Sequence, residues 1–218
     1  MTSVFADITT TAYPHRFHGT LHVSVIAGGT PTDPKKAEGH IRSKMFAPDD
    51  IIRDLVSTAM VERGVTADEA AEAVAMDKNL NGFRRDQEHG LYIEGRQLKA
   101  AIKEAANVRW PKERWGPSKK GTRSFFAEHV FVPETRLYLG VQAADDIIQR
   151  FVHTWRGDAI QYEEVVYDAK IDFSVITDHP FKREEWALLW LTGEQQGIGA
   201  SRSQGYGRYE VVRWEAAA

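Results

Sequence analysis

Apolar and polar positions alternate from residue 15 to 27, where Phe17, Leu21, Val23 and Val25 are interleaved with His18, His22 and Ser24. A period of two predicts a strand with one wet face. Gly28-Gly29-Thr30-Pro31-Thr32-Asp33-Pro34 stops it. Pro48-Asp49-Asp50 then opens a helical pattern through Glu62, with Ile51, Ile52, Leu55, Val56 and Met60 on one stripe and Gly64 beyond it. Thr66 and Glu69 have capping-box spacing, which predicts a second helix from Ala67 to Met76. Residues 48–76 read together as a helical insertion that covers the sheet or reaches a neighbouring subunit.

Residues 77–90 read as a loop and hairpin with its turn at Asp86–Gly90, and Leu91-Tyr92-Ile93 as a short strand. A helix is predicted from Arg96 to Val108, with Leu98, Ala101, Ile102 and Ala105 on its apolar face. Residues 124–132, 136–141, 161–167 and 170–176 read as strands, and 145–152 is ambiguous. A closing helix over 181–195 carries Trp186, Leu189 and Trp190 on one face, and a last strand covers 209–214. The order predicts an α+β fold: a ferredoxin-like (RRM-like) βαββαβ core with an enlarged antiparallel sheet and helical and loop insertions. One domain over 1–218 is expected.

Composition narrows the classes. At 218 residues the chain can bury a sizeable core. It has no cysteine, which excludes disulfides, thiol chemistry and cysteine metal sites. No run is long and apolar enough to cross a membrane and no signal-peptide pattern opens the chain, so a cytoplasmic protein with no membrane partner is expected. The formal net charge of −3 argues against a dedicated nucleic-acid binder. The charge is unevenly spread, however. Residues 96–123 hold nine Lys or Arg (Arg96, Lys99, Lys103, Arg109, Lys112, Arg114, Lys119, Lys120, Arg123) against Glu104 and Glu113. Within that run, 109–123 mixes cations with Trp110 and Trp115. Either the tryptophans stack on splayed bases, or they tuck back onto the core beneath a surface loop. The start of the 96–108 helix offers free amides, a positive dipole end, Arg96 and Lys99, which is a phosphate site or an ordinary basic face.

The densest chemistry lies at Gly197-Ile198-Gly199-Ala200-Ser201-Arg202-Ser203-Gln204-Gly205-Tyr206-Gly207-Arg208. Amides of such a loop can converge on an anion, Arg202 and Arg208 can add bidentate contacts, and Tyr206 can stack on a base. The order helix, loop, strand is the reverse of a nucleotide-binding phosphate loop, and no Gly-Lys-Ser/Thr follows the glycines. The run resembles the glycine-rich loop of the RAMP superfamily of CRISPR-associated RNA-binding proteins. Gly90-Leu91-Tyr92-Ile93-Glu94-Gly95-Arg96-Gln97-Leu98-Lys99-Ala100 is similar to the Ile-Pro-Gly-Ser-Ser-Leu-Lys-Gly motif of type III backbone subunits. Here Glu94 stands for the proline, Arg96-Gln97 for the serines and Ala100 for the last glycine.

The resemblance implies an RNA-binding backbone subunit that oligomerises along a CRISPR guide RNA, with crRNA, target RNA and other effector-complex subunits as partners. The RNA-binding residues are then Arg96, Lys99, Lys103, Lys112, Arg114, Lys119, Lys120, Gly197, Gly199, Arg202, Ser203, Gly205, Tyr206, Gly207 and Arg208. It also implies a target-cleaving loop aspartate. Asp77, eighteen residues before Gly95, is the positional match, and Asp33 is a second candidate. Binding needs no cofactor; cleavage would use a divalent cation such as Mg. No resident metal site is expected: His15, His18 and His22 lie in an extended stretch, and a His18–His22 pair at i, i+4 needs a helix. The alternatives are a CRISPR transcript-processing endoribonuclease that uses His15 or His18, and a stand-alone single-stranded nucleic-acid-binding protein of the same fold.

Overall fold

The computed structural model describes residues 12–31, 48–70, 80–154 and 157–217. They form the strands β1 (His15–Ala27), β2 (Thr30–Pro31), β3 (Leu80–Gly82), β4 (Arg84–Asp86), β5 (Gly90–Glu94), β6 (Arg114–Trp115), β7 (Lys120–Gly121), β8 (Val130–Phe131), β9 (Arg136–Tyr138), β10 (Asp146–Thr154), β11 (Gly157–Thr177) and β12 (Tyr209–Ala216). The helices are α1 (Pro48–Arg63), α2 (Gly95–Arg109), α3 (Thr122–His129) and α4 (Arg183–Gln196). The fold is α+β on the ferredoxin-like plan. The chain separates into two compact units: one from the described parts of 1–27, 85–143 and 166–218, the other from those of 28–84 and 144–165.

In the first unit, β1 lies between β12 and the second half of β11. Alternation carries the packing. Gly19, Leu21 and Val23 of β1 are buried while Ser24 is exposed, and Ala169, Ile171, Phe173 and Val175 of β11 are buried while Lys170 and Asp172 are exposed. β12 pairs antiparallel with β1 from Phe17↔Ala216 to Val23↔Tyr209, with a register shift at Thr20/Leu21. Residues 161–167 and 170–176 form one continuous strand, not two. The interruption in their alternation falls at Asp168, whose φ is +51°, so the sequence break marks a local distortion of one strand.

α2 and α4 pack against each other, with Ala105 facing Gly193. α2 buries Leu98, Ala101, Ile102 and Ala105, and α4 buries Trp186, Leu189 and Trp190, the faces predicted from spacing. A sheet of β4, β5 and β9 leads straight into α2. Its Asp86 accepts from the backbone amides of Glu88 and His89, both at 3.0 Å, and pairs with Arg136. Residues 122–129 form a helix where a strand was expected over 124–132. Thr122, Phe125 and Phe126 point inward at helical spacing, and burying both phenylalanines on one face decides against the extended form.

In the second unit, β10 and β11 pair antiparallel from Asp146↔Val165 to Thr154↔Gly157. β3 runs parallel to β11 at Leu80 and Asn81, so the sheet is mixed and not wholly antiparallel. Two adjacent buried carboxylates are each answered: Arg150 donates to Glu163 at 2.7 Å, and the Phe83 amide donates to Glu164 at 3.1 Å. The capping box forms, with the Thr66 amide donating to Glu69 at 2.9 Å and the Glu69 amide to Thr66 Oγ1 at 3.4 Å. Of the helix predicted over 67–76, residues 67–70 are helical and 71–76 lie outside the described residues. Among the described residues no helix is long and apolar enough to cross a membrane.

Candidate nucleic-acid interface

The glycine run folds as a rigid link between α4 and β12. Gly197 has φ +74° and ends α4, its amide donating to Gly193 O at 2.8 Å. The Ile198 amide donates to Gly207 O, and the Gly207 amide to Val25 O, both at 2.8 Å. Gly207 has φ +73°, and a Cβ there would overlap the carbonyl oxygen of Ile198. Only glycine combines that conformation with so close an approach. The amides of Ala200, Gln204 and Gly205 also donate to backbone carbonyls. Six amides of the run are thus committed to the fold, so what the run offers a ligand is its side chains more than a backbone cradle.

Those side chains are well placed. A short 3₁₀ turn at Arg202–Gln204 carries Arg202 and Ser203 towards the C-terminal half of α2. Arg202, Ser203 and Arg208 join Asn107 of α2 and Arg123 of α3 around an open cleft of about 440 Å³. Arg208, Ser203 and Arg123 are exposed. Arg202 donates to Glu104 at 2.5 Å, a partly exposed pair that holds its guanidinium at the cleft edge. Three cations, one from α3 and two from the glycine run, therefore meet at one opening, a chemistry that suits a phosphate chain. Tyr206 is half-buried.

The start of α2 has a different character. The Gly95 amide donates to Thr135 O at 3.1 Å, and the Glu94 amide to the Gln97 side chain at 3.1 Å. A Cβ on Gly95 would overlap Glu134 O. The glycine of the second motif thus lets helix and neighbouring backbone touch, and its amide is spent there. Arg96 turns back onto Glu94 at 2.6 Å. Lys99 turns inward: its ammonium donates to Ala127 O at 2.8 Å and sits 4.1 Å over the Phe131 ring. Burial, and then the charge of Lys103, hold the Lys99 pKa below the usual lysine value. Lys103 is half-buried.

In the 109–123 segment the tryptophans tuck back. Trp115 is 8% exposed, stacks on Phe125 at 5.4 Å and donates from its indole to Thr122 Oγ1 at 3.0 Å. Thr122 Oγ1 donates in turn to Trp110 O at 2.6 Å. Strands β6 and β7 close this loop as a hairpin. Lys112, Arg114 and Lys119 are exposed on it, while Lys120 pairs with Glu128.

Of the histidines, His18 lies 3.1 Å from Ser174 Oγ and His22 lies 3.4 Å from Asp168, both pairs across β1 and β11. Asp33 and Asp77 lie outside the described residues. Among the described residues no group of three or more His, Asp or Glu is arranged to hold a metal ion. Sequence reading did not single out Asn107 or Arg123 as site residues. They come from separate elements, and only the packing of α2 and α3 beside the glycine run joins them.

No protein-family model matches the chain, and no curated protein matches it. Among solved structures it superposes on a chain of the cryo-EM structure of the Type III-B Cmr-beta bound to cognate target RNA. The TM-score is 0.54 at 10% sequence identity. The match covers 96% of this chain and 62% of that one, so the chain spans about three fifths of its neighbour's length. At that identity the likeness is one of fold alone.

Proposed function

We propose that the chain is an RNA-binding subunit of a type III CRISPR-like ribonucleoprotein, holding the sugar-phosphate chain of a guide RNA and self-associating along it. The observation that carries this reading is the meeting of Arg123, Arg202 and Arg208 around one open cleft beside the glycine run. The fold likeness to a subunit of a complex that binds target RNA supports it. Recognition is largely independent of sequence, because phosphate contacts position a strand without reading its bases. Exposed Lys112, Arg114 and Lys119 extend the basic surface. The inward turn of Lys99 and the burial of Trp115 favour a structural part for both.

Cleavage of target RNA by Asp77 or Asp33 with a divalent cation belongs to this proposal as a separate step. Asn substitution of each, assayed with Mg and with a chelator, tests it. The binding reading is tested by size-exclusion chromatography with single-stranded RNA of increasing length. A backbone subunit gives particles that grow with RNA length. A particle of fixed size on every RNA rejects self-association along the strand, and no RNA-bound particle at low salt rejects the reading altogether.

A further inference from the structure

Arginines suffice to grip phosphate, yet they are not all that faces the cleft beside the glycine run. Asn107 of α2 and Gln195 and Gln196 of α4 line the same opening. The helices meet at Ala105 and Gly193, and these three side chains follow within a turn of that contact. Gln195 is exposed, and Asn107 and Gln196 are half-buried. Among the described residues none of the three side chains has a hydrogen-bond partner. The nearby acids differ. Glu194 accepts from the Val211 amide at 3.0 Å, and Glu104 accepts from Arg202 at 2.5 Å. Both carboxylates are spent within the fold, and the carboxamides are not. Val108 stands at the same opening and is 57% exposed.

A phosphate oxygen only accepts, so a site for phosphate alone asks for donors alone. A carboxamide carries an acceptor beside its donors. That pair matches a nucleobase edge, where a donor and an acceptor also stand side by side. An exposed valine adds an apolar surface on which the face of a base can rest. Adenine fits this set best. Its N6 amino group has one hydrogen towards N7 and one towards N1, so both edges offer a donor next to an acceptor. Two carboxamides can therefore hold one adenine from two sides. Guanine shows two acceptors, N7 and O6, on the corresponding edge, a pattern that would draw an arginine away from the phosphates.

We infer that the cleft reads one base of the bound strand and prefers adenine, an inference that rests on the RNA reading above. Gln195, Gln196 and Asn107 are the reading groups. The arginines hold the phosphates whatever the sequence, and the carboxamides select at one nucleotide per chain. Solvated amides at helix ends would give no such selection, and the test separates the two.

Fluorescence anisotropy is measured for the full chain with labelled uridine heptamers whose central base is A, U, C or G. The adenine oligomer is expected to bind about tenfold more tightly than the uridine one. N107L/Q195M/Q196M keeps side-chain size and removes the polar ends. It lowers affinity for the adenine oligomer to that for the uridine one, while the dependence of affinity on salt stays as in the wild type. R123A/R208A weakens all four oligomers alike and keeps the preference. Thermal melting checks that each variant is folded, and the three single variants serve where the triple one does not fold. Unlabelled adenosine monophosphate, which lacks the flanking phosphates, competes only at far higher concentration than the oligomer. Equal affinity for the four oligomers, or preference for another base, overturns the inference and leaves the cleft reading standing. So does an adenine preference undiminished in the folded triple variant or in all three single ones. Displacement by adenosine monophosphate at a concentration equal to the oligomer's makes the cleft a mononucleotide site and overturns it too. No binding of any oligomer at low salt removes the cleft reading and this inference with it.

Discussion

Arg202 meets Glu104 before it can meet a phosphate. Exposed pairs of this kind contribute little to stability, so the exchange of partner is cheap. E104Q should free the guanidinium and tighten binding of single-stranded RNA about two- to fivefold in a fluorescence-anisotropy titration; unchanged or weaker binding would remove Arg202 from the interface. Gly207 shows the opposite economy, since nothing can replace it. With φ +73° and the Ile198 carbonyl against its Cα, G207A should cost about 2–3 kcal/mol or more, read as a fall in the urea midpoint. His179 adds a pH dependence. Its folded pKa lies below the ordinary 6.5, so the unfolded chain takes up the proton first. Stability is full above pH 6.5 and declines as pH falls through the folded value. H179N should flatten that decline, as urea midpoints measured across the range would show.

At the scale of elements, spacing alone recovered much of the fold. Leu98, Ala101, Ile102 and Ala105 disclosed α2, and Trp186, Leu189 and Trp190 disclosed α4. The glycines correctly marked a packed link between helix and strand. Residues 122–129 were misread because adjacent phenylalanines favour strands, and only their shared burial beneath Trp115 makes a helix the better solution. The same tertiary packing settled the two readings of the tryptophans. W115A should therefore destabilise the protein by about 3–5 kcal/mol in chemical denaturation, while RNA affinity of the folded protein stays near wild type. A loss of RNA affinity with stability unchanged would restore Trp115 to the interface. The arginines of the loop were legible in the sequence, and Arg123 only as one cation of the basic run 96–123; its meeting with Asn107 at the cleft depends on how α2 and α3 pack. The contact of His129 with Asp178 was equally hidden, because the two residues are far apart in the chain.

For the whole molecule, a formal charge of −3 gives no net attraction to polyanions. The proposed RNA binding therefore depends on a local arrangement, and the cleft of Arg123, Arg202 and Arg208 is one that the fold builds. Its most direct test is the salt dependence of single-stranded RNA affinity for the wild type and R123A/R208A. For single strands, each phosphate contact contributes about −0.7 to the slope of log K against log salt. The account predicts a clear negative slope for the wild type, shallower by about 1.4 in the double variant. Equal slopes for the two proteins, or a wild-type slope near zero, would contradict it.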